Sequence, residues 1–335
     1  MDLNTFTYAL PDELIAQKPL AERDKARLLV IDRKSGTIHA DIFSSLPKYL
    51  PKKSLVVVNN SKVIPARILG TKERSGGRVE IFLLKSLNGG STFETFLKPF
   101  NRLRDNDRID VGQGVWAEIV DRQKRTVRFN RKNILKFLPK IGHTPLPPYI
   151  RRADTKEDAA DYQTVYARVS GSVASPTAGL HFTRGLLRKL KTGGHTVLPV
   201  TLHVNRGTFQ PVTEQDITQH KMHSEEYSVS PPAWGKIERA KKAGRPIVAV
   251  GTTSGRVLEA ISRGGKLQGR TDIFIYPGFK FQMTDILVTN FHLPRSTLLM
   301  LVYAFGGMAL MKKAYARAIE ERFRFYSYGD AMIIF

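Results

Sequence analysis

The chain has 335 residues, 41% hydrophobic and 25% charged, the balance of a globular protein with one large domain or two ordinary ones. It contains no cysteine, which excludes disulfides, iron–sulfur clusters and thiolate zinc sites. Lys and Arg number 53 against 30 acids, a net charge of +23; this points to a polyanionic partner, nucleic acid first, although a cationic bias across a whole proteome would give the same excess.

The N-terminal MDLNTFTYALPDEL carries early acids and no long apolar region, so it does not read as a secretory leader, and a cytoplasmic location is expected. RLLVID (27–32) and SLVVVNN (54–60) read as strands, the second buried on both faces because its apolar run is continuous. From Ile64 the texture changes to short alternating segments, RVEIFLLK, STFETFLK, VWAEIVDRQ and RTVRFN, punctuated by Gly and Asn turns. Only NILKFLPKI has a helical look there. This pattern predicts a small antiparallel barrel or sandwich over residues 64–150. That stretch holds 17 Lys and Arg against 8 Asp and Glu, a good share of the excess charge.

HTPLPPYI (143–150) is a proline-rich seam, and beyond it the pattern becomes α/β. HTVLPVTLHV (195–204), PIVAVG (246–251), TDIFIYP (271–277), DILVTNF (285–291) and DAMIIF (330–335) read as strands. PAWGKIERAKKAG (232–244) and SGRVLEAISRGG (254–265) read as helices, and a final helix is expected over about Thr297 to Arg324. The most apolar run, Leu298–Met311, is 14 residues with two glycines, too short for a membrane span. The expected architecture is an α/β main domain with a mixed sheet, formed discontinuously by 1–63 and 151–335, with the barrel between.

Several loops carry candidate chemistry. IDVGQG (109–114) has the spacing of a nucleotide-binding turn, but it lies between polar and strand-like segments and reads as a barrel turn. VAVGTTSGRVLEA (248–260) sits in strand–turn–helix context, where Thr252 and Thr253 either meet an anionic ligand at a helix N-terminus or merely cap the helix. His203 is either a hydrogen-bonded core residue or part of a site. HKMHSEEY (220–227) gathers His220, His223 and Glu225; metal ligation, acid–base work and a solvated loop are all open, but the helical i,i+4 pair of known zinc motifs is missing. Asn290 and His292 in TNFHLPRST, and Tyr328 and Asp330 in FYSYGDAM, also fall at predicted strand ends, where ligands of α/β sheets bind. In SVASPTAGLHFTRG (172–185) small residues crowd around one imidazole, His181.

Taken in order, NNxxVIPAR, PTAGLHF, LHVxxGTFQPV, HxMHSExY, VGTTSxRxLE, FIYPGFKF, VTNFHLPxSTLLMLVxAF and SYGDAM resemble the S-adenosylmethionine:tRNA ribosyltransferase-isomerases of queuosine biosynthesis, over essentially the whole chain. Ser175 stands where that pattern has alanine, and Asn205, followed by Arg206, where it has glycine. The resemblance implies an α/β domain interrupted by a β-barrel. It also implies transfer of the ribosyl part of S-adenosylmethionine to 7-aminomethyl-7-deazaguanine at the tRNA wobble position. The product is epoxyqueuosine, with adenine and methionine released. S-adenosylmethionine is then consumed as co-substrate, no prosthetic group or metal is expected, and the partner is the anticodon loop of GUN-type tRNA. A monomer is the expected state.

Such chemistry needs a general base, and His181 with His203, then His292, are the acid–base candidates. Pro176, Thr177, Gly179, Gly207, Thr208, Phe209, Arg256 and Tyr276 join Thr252, Thr253, His220, His223, Asn290 and Tyr328 as substrate contacts. Glu225 or Asp330 would counter the sulfonium or grip the deazaguanine. In the barrel, Arg102, Arg104, Arg122, Lys124, Arg125, Arg128, Arg131 and Lys132 are candidates for phosphate contact. A methyltransferase and a non-catalytic RNA-binding protein are the rivals; free adenine, S-adenosylhomocysteine or no product would separate the three.

Overall fold

The computed structural model describes residues 1–205 and 211–335. The chain opens with β1 (Arg27–Ile31) and β2 (Ile38–Ile42), a short helix α1 (Leu46–Tyr49), then β3 (Leu55–Asn59) and β4 (Ser61–Val63). The next stretch contains β5 (Arg67–Lys72), β6 (Arg78–Ser86), β7 (Thr92–Lys98), β8 (Arg108–Gly112), β9 (Val115–Asp121) and β10 (Thr126–Phe129). It ends in α2 (Leu138–Ile141) and β11 (Gly142–His143). After α3 (Asp158–Asp161) and β12 (Val169–Ser172) come α4 (Arg184–Thr192), β13 (Thr196–Leu202), β14 (Glu225–Ser228), α5 (Pro231–Lys242) and β15 (Ile247–Val250). Then follow α6 (Gly251–Ser262), β16 (Gln268–Thr271), β17 (Ile286–Asn290), α7 (Thr297–Gly306), α8 (Met308–Glu320) and β18 (Ala331–Ile334).

Nine strands form one mixed sheet in the order β16-β14-β13-β3-β15-β17-β18-β1-β2. Its centre, β13, β3, β15 and β17, is parallel, and β18 returns antiparallel to β17. The central strands are covered on both faces, which is why LVVVN and IVAV are unbroken apolar runs. Alternation divides them: Leu55, Val57, Ala249 and Leu287 pack with α5–α8, while Val56, Val58, Val248 and Val288 pack with Phe43, Phe182 and α4. β5 through β10 close into an antiparallel barrel, β5 pairing with β6 on one edge and with β8 and β11 on the other. The barrel has its own core, from Ala66 to Ile141.

Two expected elements differ. The strand read at TDIFIYP lies upstream, at Gln268–Thr271, and Ile273, Phe274 and Tyr276 pack irregularly against the main core instead. The single final helix is two, broken at Gly307 (φ 83°) and bent by 115°. Among the described residues no single helix is long and apolar enough to cross a membrane.

Candidate functional site

Because β3, β13, β15 and β17 run parallel, their C-terminal ends share one edge of the sheet. The antiparallel β18 brings its N-terminal end, next to Asp330, to the same edge, with Asn290 opposite Ala331. The segment 175–181 lies across this edge; its last five residues form a 3₁₀ turn, Thr177–His181, that touches β17 and α6.

The edge carries two clefts on opposite faces of the sheet. On the α5–α8 face, a small cleft is lined by Ser175, Pro176, Thr177, Gly251, Thr252, Thr253, Thr289 and His292, among others. The Thr289 hydroxyl and His292 Nε2 are 2.8 Å apart, and burial holds the ring at a pKa of about 3. On the other face, about 300 Å³ is bounded by Arg23, His181, Ser327 and Tyr328. There His181 is 4% exposed, stacked at 4.9 Å on Phe43. Asn290 Nδ2 donates to its Nε2 at 3.1 Å and also to the Tyr326 carbonyl at 3.1 Å, which fixes the amide's orientation. With Nε2 accepting, the ring proton sits on Nδ1, facing the Arg23 carbonyl. Burial, with Arg324 and Arg23 nearby, lowers this imidazole to about 3 as well. Both histidines are therefore neutral. Thr289 and Asn290 are consecutive on β17, so strand alternation itself assigns one histidine to each face.

His203 stands apart from both clefts. It follows β13, half-buried against Gly171 of β12, where an added Cβ would lie 2.9 Å from its ring. Its Nδ1 is buried without a hydrogen-bond partner among the described residues, and burial lowers its pKa. Glu225, 1% exposed, accepts the Asn205 amide at 2.9 Å and pairs with Arg256 inside the fold, so these two candidates hold each other. His220 pairs with Glu214 at 2.9 Å, His223 is exposed, and no group of three His, Asp or Glu among the described residues could hold a metal.

Asp330 accepts the backbone amides of Arg27 (2.9 Å) and Arg324 (2.8 Å), the work of a structural clamp. The Tyr328 hydroxyl donates to Asp158, whose carboxylate is gripped by Arg152 at 2.6 and 2.8 Å and held at a pKa of about 2 despite its burial. Tyr276 packs on Phe274. Gly179 is glycine because an added methyl would lie 2.1 Å from the Tyr166 hydroxyl; an aromatic, not a ligand, occupies the space. Arg206, Gly207, Thr208 and Phe209 lie outside the described residues.

HTPLPPYI stands out in the sequence as a seam, but none of its residues is among the expected site residues. An open pocket of about 790 Å³ lies there between Arg67, Glu80 and Phe82 of the barrel and Pro145–Pro148, Ile150, Arg152, Asp154 and Val173. Arg67 bonds Glu80 at 3.1 Å and lies 3.8 Å from Asp154, which also meets His143 at 3.1 Å. Arg67 closes the VIPAR motif, the one signal that could have flagged this pocket. On the barrel surface Arg102, Arg104, Lys124, Arg125, Arg128, Arg131 and Lys132 are exposed and Arg122 half-buried. Arg122 and Arg125 lie over Phe100 at 4.4 and 4.9 Å, while Arg128 is paired with Glu118 at 2.7 Å.

The chain matches the family model described as "Queuosine biosynthesis protein" over residues 3–334. It is 47% identical over 336 residues to the S-adenosylmethionine:tRNA ribosyltransferase-isomerase of Sulfurihydrogenibium sp., covering 100% of both chains. It is 48% identical over 341 residues to the protein of that name from Carboxydothermus hydrogenoformans, again over 100% of both. A crystal structure of S-adenosylmethionine tRNA ribosyltransferase from Thermotoga maritima is 35% identical with a TM-score of 0.57, covering 99% of this chain and 100% of that one.

Proposed function

The chain belongs to the queuosine biosynthesis protein family, and from that premise we propose that the edge where β3, β13, β15 and β17 end is where S-adenosylmethionine meets the modified base of tRNA. The activity is a ribosyl transfer with isomerisation. The ribosyl part of S-adenosylmethionine moves to the aminomethyl nitrogen of 7-aminomethyl-7-deazaguanine at the wobble position and becomes an epoxy-cyclopentanediol, while adenine and methionine leave. The sulfonium acidifies the neighbouring C–H and departs as a neutral thioether, so the protein must supply proton transfer and alignment.

One observation carries the placement. Four parallel strands and one turn bring the PTAGLH, GTTS and TNFH motifs to a single edge, around two neutral imidazoles. A neutral ring can stand beside a sulfonium without like-charge repulsion, and it takes up the acidified proton as the hydrogen bond on its Nε2, from Asn290 in His181 or with Thr289 in His292, gives way. His292 serves the cleft beside α6, His181 the opposite one, and His203 the approach from the barrel. The seam pocket suits an unstacked base, with the Phe82 ring for its face and Arg67, Glu80 and Asp154 for its edge. The barrel, residues 64–150, serves as an inserted tRNA-docking domain for the anticodon loop, and the enzyme acts as a monomer without a metal.

Purified protein incubated with S-adenosylmethionine and GUN-type tRNA carrying the aminomethyl base tests the reading. Adenine and methionine should appear together with an epoxyqueuosine mass in the tRNA digest. S-adenosylhomocysteine would instead mark a methyltransferase, and salt-sensitive tRNA binding with no product a binding protein.

A further inference from the structure

We propose that the cleft beside α6 binds the carboxylate of S-adenosylmethionine's methionyl end, held by the first-turn amides of α6 and the hydroxyls of Ser175 and Thr253. This rests on the reading of the strand-end edge as the S-adenosylmethionine site.

The chain passes from β15 into the 12-residue α6 through Gly251, whose φ of +85° a side chain would rarely adopt. The flanking residue is Val250, no side chain among the described residues caps the helix, and its first residues, Gly251, Thr252 and Thr253, line the cleft. Two further donors wait beside them. Ser175 is 3% and Thr253 7% exposed, and both hydroxyl oxygens are buried with no hydrogen-bond partner among the described residues. They come from separate segments and line the same cleft. Buried hydroxyls without partners are rare unless something else satisfies them. Among the described residues no acidic side chain lines the cleft to repel an anion, and no Lys or Arg is there to neutralise one. Pro176, Ala178, Val204 and Leu298 form apolar walls, which strengthen a helix-end interaction by excluding water. Among the described residues no Phe, Tyr or Trp lines the cleft to stack an adenine. A small carboxylate offers acceptors both to a helix N-terminus and to these two hydroxyls.

Equilibrium dialysis of the full chain with S-adenosylmethionine and with its decarboxylated analogue isolates the group. The wild type should prefer the carboxylate form by roughly tenfold or more. Ser175→Ala and the isosteric Thr253→Val, each checked for an unchanged melting temperature, should both shrink that preference while leaving the decarboxylated analogue within about twofold of wild type. Equal affinity of the wild type for the two ligands would overturn the inference and leave the functional reading intact. So would parallel weakening of both ligands in the variants, or a loss of tRNA affinity alone, which would make the anion an RNA phosphate. No binding of either ligand to the wild type would overturn both.

Discussion

His181 and His292 enter the fold as neutral rings, and this ties stability to pH. Their folded pKa values, about 3, lie below the ordinary 6.5, so on acidification the unfolded chain takes protons that the folded chain refuses. Stability is therefore full above 6.5 and is lost as pH falls from there toward 3. The loss is about 2 kcal/mol per ring at pH 5. Urea unfolding at pH 7 and 5 should show a smaller loss in His292→Gln than in the wild type; an identical loss would mean that this ring is not buried neutral. The same substitution, and His181→Gln, should each slow adenine release by about 100-fold or more while S-adenosylmethionine still binds. Wild-type turnover in both would move the proton chemistry elsewhere, with His203 next to test.

At the scale of elements, α6 is placed by a residue far from the chemistry. Glu259, fully buried, accepts the backbone amides of Gln282 (2.8 Å), Met283 (3.0 Å) and Thr284 (3.0 Å), and Arg263 at 2.8 Å. It thereby ties the helix that carries Thr252 and Thr253 to the loop leading into β17, which carries Asn290. Removing the carboxylate leaves three amides without an acceptor, so Glu259→Ala should cost about 3 kcal/mol or more in a thermal or urea melt. A loss under about 1 kcal/mol would show that water replaces it. The glutamate of the VGTTSxRxLE motif is thus a structural member. Asp330 of SYGDAM is of the same kind, spending both oxygens on backbone amides.

For the whole molecule, the charge of +23 and the barrel surface belong together. Arg122 and Arg125 are pre-ordered on Phe100, whereas Arg128 is engaged by Glu118 and less free to meet a phosphate. Reversing Arg122 and Arg125 to Glu should weaken tRNA binding by at least about tenfold at moderate salt. It should also flatten the log–log salt dependence by about 0.7 for each phosphate no longer neutralised. Affinity and slope unchanged from wild type would take this face of the barrel out of the interface.

The mixed α/β body, the barrel texture and the motif-bearing loops were all legible along the chain, because they depend on local periodicity and on which residues tolerate strand ends and turns. LVVVN, IVAV and ILVTN announce buried parallel strands without any knowledge of their neighbours. The family, too, was legible from the motifs alone. Which loops share a cleft was settled by three-dimensional packing. His181 and His292 look like members of one cluster in the sequence, yet Thr289 and Asn290 send them to opposite faces. Glu225 and Arg256 look free, yet they neutralise each other. Gly179 looks like a ligand cradle, yet Tyr166 fills it. A pocket at the domain seam could be expected, but not its lining, because its walls come from distant stretches, Arg67 to Phe82, Pro145 to Asp154, and Val173. Such pairings depend on strand order and on close packing between distant segments, and neither leaves a periodic trace along the chain.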